Sequence, residues 1–177
     1  MNRYEHKGNR PEIHPTAYIA PGAHIIGNVH IGRESSVWFN TVIRGDFDRI
    51  SIGERTNIQD LTTCHADEGI PLTIGDGVTI GHRSVIHGCT IEEGCLIGMG
   101  AVVMNRAIIG KGAIVAAGAV VLENTVIPPY SLVTGSPARV KKTYQNREQI
   151  DRDIKEMSEI YTGNALDFAD PSICRKI

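Results

Sequence analysis

The sequence predicts an all-β solenoid, a parallel β-helix of hexapeptide repeats, followed by a C-terminal α-helix. Three observations carry this reading. Aliphatic residues recur at every sixth position, small residues follow them four places later, and the six-residue period gives way to helical spacing near residue 147.

The repeat begins at Ile13 and runs through Ile19, Ile25, Ile31, Val37 and Ile43. After a slip of three residues it resumes at Ile52, Ile58 and Cys64. After an insertion of four it resumes at Ile74, Ile80 and Ile86. One residue is then lost, and Ile91, Ile97, Val103, Ile109, Val115, Val121, Ile127 and Val133 follow. The fourth residue onward is small in most units: Ala23, Ser35, Thr41, Thr56, Ser84, Ala101, Ala107, Ala113 and Ala119. A period of six fits neither a 3.6-residue helix nor a hairpin, and it is the signature of short strands that coil and stack. Each coil buries its apolar residues only against its neighbours, so stability accrues by stacking. Cys64 occupies an inward slot of the repeat and reads as core. Trp38 faces outward by register and reads as interface packing.

Residues 1–140 are assigned to the repeat domain and residues 141–177 to a helix and tail packed on it. Asn146 followed by Gln149 resembles a capping box. Ile150, Ile154, Met157 and Tyr161 fall on one helical face. Gly163 reads as a C′ stop, which places the helix at residues 147–162. The remaining tail, residues 164–177, carries no assignable pattern.

Composition narrows the functional classes. The net charge is −2, which argues against a sequence-blind grip on nucleic acid or on an anionic membrane. The N-terminal MNRYEHKGNRPEIHP has no apolar segment of the kind a signal peptide needs, and no apolar run reaches the roughly 18 residues of a membrane span. The four cysteines lack C-x-x-C spacing and read as reduced thiols, which suggests a cytoplasmic address.

Chemistry concentrates between Val42 and Gly88. If three hexapeptides make one coil, the units starting at Ile43, Cys64 and Ile86 stack. Arg44, His65 and His87 then form a vertical ladder with neighbours about 4.8 Å apart. By the same count Asp60 lies below His82, with Gln59 beside it. Two stacked imidazoles, His65 and His87, can converge on one metal ion at about 2.0–2.1 Å each. His82 lies roughly 15 Å of extended chain before His87, too far to join the same ion within one chain. A neighbouring chain can supply it, so the geometry predicts a cyclic oligomer with shared sites. Arg44, Asp46 and Asp60 also fit a plain salt-bridged ladder, and His6, His14, His24 and His30 read as ordinary surface residues.

The segments VIRGDFDRISIG, TNIQD and GHRSVIHG, with His65 between them, resemble the γ-class carbonic anhydrases and their bacterial relatives over nearly the whole chain. The resemblance implies a left-handed coil, against the usual right-handed crossover preference, and a homotrimer with a metal at each subunit interface. It implies His65, His82 and His87 as metal ligands, and reversible hydration of CO2 to bicarbonate by a lyase. Zn²⁺ is the implied cofactor, and imidazole also suits Fe²⁺ and Co²⁺. Gln59 is implied to hydrogen-bond the hydroxide or bicarbonate, Arg44 to pair with Asp60 across the interface, Asp46 to support the ligands, and Tyr161 to approach from the helix. The archetype carries acidic loops whose glutamates shuttle protons. Here Phe47 follows Asp46, and the loop after His65 is the short ADEGIP, with Asp67 and Glu68 as its acids. The same repeat also builds acyltransferases, and a metal-dependent thioesterase or esterase, an acyltransferase and a silent binding protein are the alternatives.

Overall fold

A computed structural model describes residues 2–175. The aliphatic positions line the inside of a left-handed prism with three faces. The first face carries Ile25, Ile43, Cys64, Ile86, Val103 and Val121 in parallel register. The second carries Ile13, Ile31, Ile52, Ile74, Ile91, Ile109 and Ile127. The third carries Ile19, Val37, Ile58, Ile80, Ile97, Val115 and Val133. Two long strands, His24–Ile31 and Val42–Ile52, bend around the corner between the first and second faces. They join those faces into one twelve-stranded sheet, and the third face is a separate eight-stranded sheet.

Most strands are two or three residues long because the chain must turn at every corner. Corner residues adopt left-handed backbone even where they are not glycine, as at Glu34 (φ 57°), Arg55 (49°), Arg83 (60°) and Arg106 (58°). Such a conformation costs about 1–2 kcal/mol per residue, and the continuous ladder of backbone hydrogen bonds between coils offsets it. The small residues point into the corners. The hydroxyl of Ser35 donates to the Gly53 carbonyl at 2.6 Å, that of Thr56 to Gly75 at 2.7 Å, and that of Thr41 to Gln59 at 2.9 Å. Later coils use Ala101, Ala107, Ala113 and Ala119, all with no exposed surface, where no hydroxyl is needed. Cys64, Cys89 and Cys95 are buried and unbridged.

The coil ends in strand Arg139–Thr143, which pairs antiparallel with Ser131–Thr134. The helix Arg147–Ala169 follows, capped by Asn146, whose side chain accepts from the Gln149 amide at 3.1 Å. It runs back along the third face. Ile150 and Ile154 pack by Tyr130, and the Ser158 hydroxyl donates to the Arg55 carbonyl at 2.6 Å.

The helix corrects two expectations. It continues through Gly163 to Ala169 rather than stopping at 162. A helix of 16 residues spans about 24 Å, whereas seven stacked coils span about 29 Å, so the shorter helix leaves the first coils bare. The extra turns bury Ala165 and bring Phe168 onto Trp38 with ring centroids 5.2 Å apart. Gly163 costs the helix about 1 kcal/mol relative to alanine, which this packing offsets. Trp38 does face outward from the coil, but its own helix covers it. It is 5% exposed, wedged among Tyr18, Tyr161 and Phe168, and its indole N–H donates to Ser36. Of the unassigned tail, residues 164–169 are helical, 170–175 turn away, and the last two positions lie outside the described residues. Among the described residues no helix is long and apolar enough to cross a membrane.

Candidate metal centre

The three breaks in the six-residue count all fall at one corner, between the first and second faces. Between Ile43 and Ile52, and again between Cys64 and Ile74, the corner is enlarged, and between Ile86 and Ile91 it is shortened. Polar residues cluster at this corner. Arg44, His65 and His87 stand one above the other in parallel register. Asp46 lies in the first enlargement and Asp67 in the second.

The ring nitrogens at this corner have defined roles. His65 Nε2 lies 2.9 Å from Asp46 Oδ1, so it donates to the carboxylate and leaves Nδ1 as the lone-pair nitrogen. Asn105 Nδ2 donates to Asp67 Oδ2 at 2.9 Å. The Asn105 oxygen therefore accepts from His87 Nδ1, at 2.7 Å, so in the neutral ring Nε2 carries the lone pair. The two lone-pair nitrogens, His65 Nδ1 and His87 Nε2, face each other at 2.9 Å. Two lone pairs cannot hydrogen-bond one another, so the two rings must share either a proton or a metal ion across this gap. Ligands of a tetrahedral ion at about 2.05 Å stand about 3.3 Å apart, a few tenths of an ångström wider than the gap observed. The donor set fits a divalent transition metal.

Burial raises the Asp46 carboxyl, but hydrogen bonds from His65 and Arg44, together with the arginine's charge, outweigh it and hold the group below its ordinary value. Asp46 is thus an anion that pairs with Arg44 through one oxygen and orients His65 through the other. Phe47 lies edge-on to the His65 ring, 5.8 Å between centroids.

The remaining expected residues lie at the opposite edge of the first face. His82 and Asp60 stack there, with His82 Nδ1 at 2.8 Å from Asp60 Oδ2, so His82 Nε2 points away unengaged by this carboxylate. Asp60 also accepts from the Phe39 amide at 3.2 Å. Gln59 is buried beside it, and its Nε2 donates to Asn57 Oδ1 at 3.1 Å. Asn57 in turn donates to Thr79 Oγ1 at 2.8 Å. Tyr161 touches Trp38 at this edge; burial and then the nearby Asp60 charge push its hydroxyl above the ordinary value. Within one chain Arg44 pairs with Asp46, and Asp60 pairs with His82. The chain therefore places two polar clusters on opposite edges of one face. That face exposes Leu61, Val85 and Leu122, and a cleft of about 280 Å³ lined by Val85, His87, Val102, Met104, Asn105 and Glu123 opens beside His87.

Asn105 and Asn57 escape sequence reasoning. Continued one coil above His87, where Val103 stacks on Ile86, the ladder reaches Met104, and Asn105 is the residue after it. Asn57 faces outward from the third face and looks solvated until the helix covers it.

The matching family model is that of the bacterial transferase hexapeptide (six repeats), over residues 10–45, 71–105 and 88–123. A Methanocaldococcus jannaschii protein provisionally named a carbonic anhydrase is 52% identical over 150 residues, covering 85% of this chain and 89% of that one. A carbonic anhydrase of Geobacillus kaustophilus is 45% identical over 157 residues, covering 89% of this chain and 84% of that one. Among solved structures, a Bacillus cereus protein described as a candidate acetyltransferase superposes with a TM-score of 0.88 at 39% identity, covering 92% of this chain and 94% of that one. A hexapeptide transferase family protein from Anaplasma phagocytophilum gives 0.88 at 35%, covering 93% and 96%. The coil, its register and these relatives lead to one conclusion: the chain belongs to the hexapeptide-repeat family, among the γ-class carbonic anhydrases.

Proposed function

We propose that the protein is a metal-dependent lyase that interconverts CO2 and bicarbonate, acting as a homotrimer. In this reading His65 and His87 of one subunit and His82 of the next hold the ion. The observation that carries the reading is that each of the three imidazoles has one nitrogen engaged by an acceptor, which is Asp46, Asn105 or Asp60. Such partners fix the tautomer and orient the other nitrogen as a ligand. A divalent ion bound by three neutral imidazoles supplies Lewis-acid chemistry and lowers the pKa of water towards about 7.

The chain's own residues supply the rest. The cleft beside His87 is walled by Val85, Val102 and Met104, a lining suited to a small uncharged molecule such as CO2 and poorly suited to a large polar substrate. Because Gln59 donates its N–H to Asn57, its carbonyl oxygen remains as an acceptor that can orient a hydroxyl of bicarbonate. Arg44 would exchange Asp46 for Asp60 of the neighbouring chain, linking subunits. Tyr161 stands near Asp60 and bounds the same edge. Zinc is the default ion, with Fe²⁺ and Co²⁺ as the other fits. The free thiols accord with a cytoplasmic address.

Stopped-flow CO2 hydration by zinc-loaded and iron-loaded protein tests the proposal. A rate above buffer that disappears with chelator is expected; no rate at full occupancy contradicts it. The superposition on a described acetyltransferase favours one second reading, acyl transfer from a thioester. Acetylation of amines or hydroxyls by metal-free protein would select that reading instead.

A further inference from the structure

One carboxylate at the metal corner has no role in the three-histidine scheme. Asp67 sits on the turn created by the four-residue insertion after His65. The Ile70 amide donates to the Asp67 carbonyl at 3.0 Å, and Gly69 (φ 72°) closes the turn. Asn105 grips Asp67 Oδ2 and leaves Oδ1 4.0 Å from His87 Nε2. Ligand atoms of His65, Asp67 and His87 lie within 4.8 Å of one another in a single chain. The Asn105 amide thus acts on two groups at once. Its oxygen fixes the tautomer of His87, and its nitrogen aims the carboxylate at the same gap.

We propose that His65, His87 and Asp67 form a capture site that loads a divalent transition-metal ion into one chain, before a second chain contributes His82. The inference rests on the reading of this corner as a metal centre. Two ligands of one ion at about 2.1 Å stand at most about 4.2 Å apart, so the 4.0 Å separation of Asp67 Oδ1 and His87 Nε2 already lies within reach. The Asp67 side chain is 48% exposed and free to close the remaining distance. Two imidazoles and one carboxylate on one side of an ion suit Fe²⁺ and similar metals and leave open positions. On assembly the incoming His82 nitrogen takes the position of the Asp67 oxygen. One donor leaves as another enters, no proton moves, and the carboxylate stays held by Asn105 through Oδ2. Metal loading then does not wait for the trimer.

Cobalt binding by the full-length protein tests this, read by equilibrium dialysis and by the visible absorption of Co²⁺. His82→Ala is expected to keep about one ion per chain, with affinity reduced by no more than about tenfold. Adding Asp67→Asn to His82→Ala is expected to weaken binding by a further hundredfold or more. Asp67→Asn alone keeps three histidines and is expected to fill more slowly from metal-free protein. Far-UV circular dichroism checks that each variant keeps the coil. If folded His82→Ala binds no cobalt while the unsubstituted protein does, the capture site is wrong and the three-histidine reading stands. If Asp67→Asn changes nothing in the His82→Ala background, the carboxylate is not a ligand. If the unsubstituted protein binds no cobalt, both readings fall.

Discussion

Asn105 decides which nitrogen His87 offers. Without its carbonyl oxygen at 2.7 Å, the imidazole loses the acceptor that holds the proton on Nδ1. Asn105→Ala is therefore expected to reduce metal affinity about 10–100-fold, measured by competition with a chromophoric chelator. Gly88 makes this contact possible. A Cβ there meets Asn105 Oδ1 at 2.4 Å, and the residue has φ 47°. Gly88→Ala is expected to displace Asn105 and to lower metal affinity as Asn105→Ala does. A second test at this scale concerns the thiols. Burial pushes the Cys64 and Cys95 thiols up to about 12 and raises that of Cys89 as well, while Cys174 is exposed. The thiolate is the reactive form, so an aromatic disulfide reagent at pH 8 should label one thiol per native chain and four in denaturant. Rapid labelling of more than one in the native protein contradicts the core assignment. His65, His82 and His87 can be picked out in the sequence because the repeat sets their register. Asn105 cannot, and Asp67 reads only as an acid of the short loop, since their contacts cross coils through loops whose shape the six-residue count does not specify.

The helix shows where reading by element succeeds and where it fails. Its start is legible because Asn146 and Gln149 satisfy a local rule, and the structure contains that bond. Its end is set by something non-local, the length of the face it covers, which overrides the stop signal of Gly163. The aliphatic positions of the coil are legible for the opposite reason. Each one obeys the same local count, and the breaks in the count mark the corner that carries chemistry. Phe168 belongs to the part that was missed. It packs edge-on to Trp38 and Phe39 and is 39% exposed. Phe168→Ala is expected to cost about 1–2 kcal/mol, less than the 3–5 kcal/mol of a fully buried phenylalanine. Because Trp38 is the sole tryptophan, the same variant should shift its fluorescence to longer wavelength. Unchanged urea unfolding and unchanged emission would contradict the packing described.

At the scale of the whole molecule, the proposed centre needs the polar clusters on both edges of the first face. One edge offers the His65 and His87 nitrogens and the other offers His82, with an apolar surface between them. A cyclic trimer brings unlike edges together at every interface. Mixing two variants tests this most directly. His65→Ala and His82→Ala are each expected to be inactive in CO2 hydration, the second even when loaded with metal at its capture site. Co-refolded in equal amounts, they should assemble at random, and about one quarter of interfaces then pair an intact His65–His87 edge with an intact His82. The account predicts hydration at about one quarter of the wild-type rate in the mixture. Mixed trimers, shown to form by mass spectrometry, that hydrate CO2 no faster than the separate variants would contradict a centre shared between subunits.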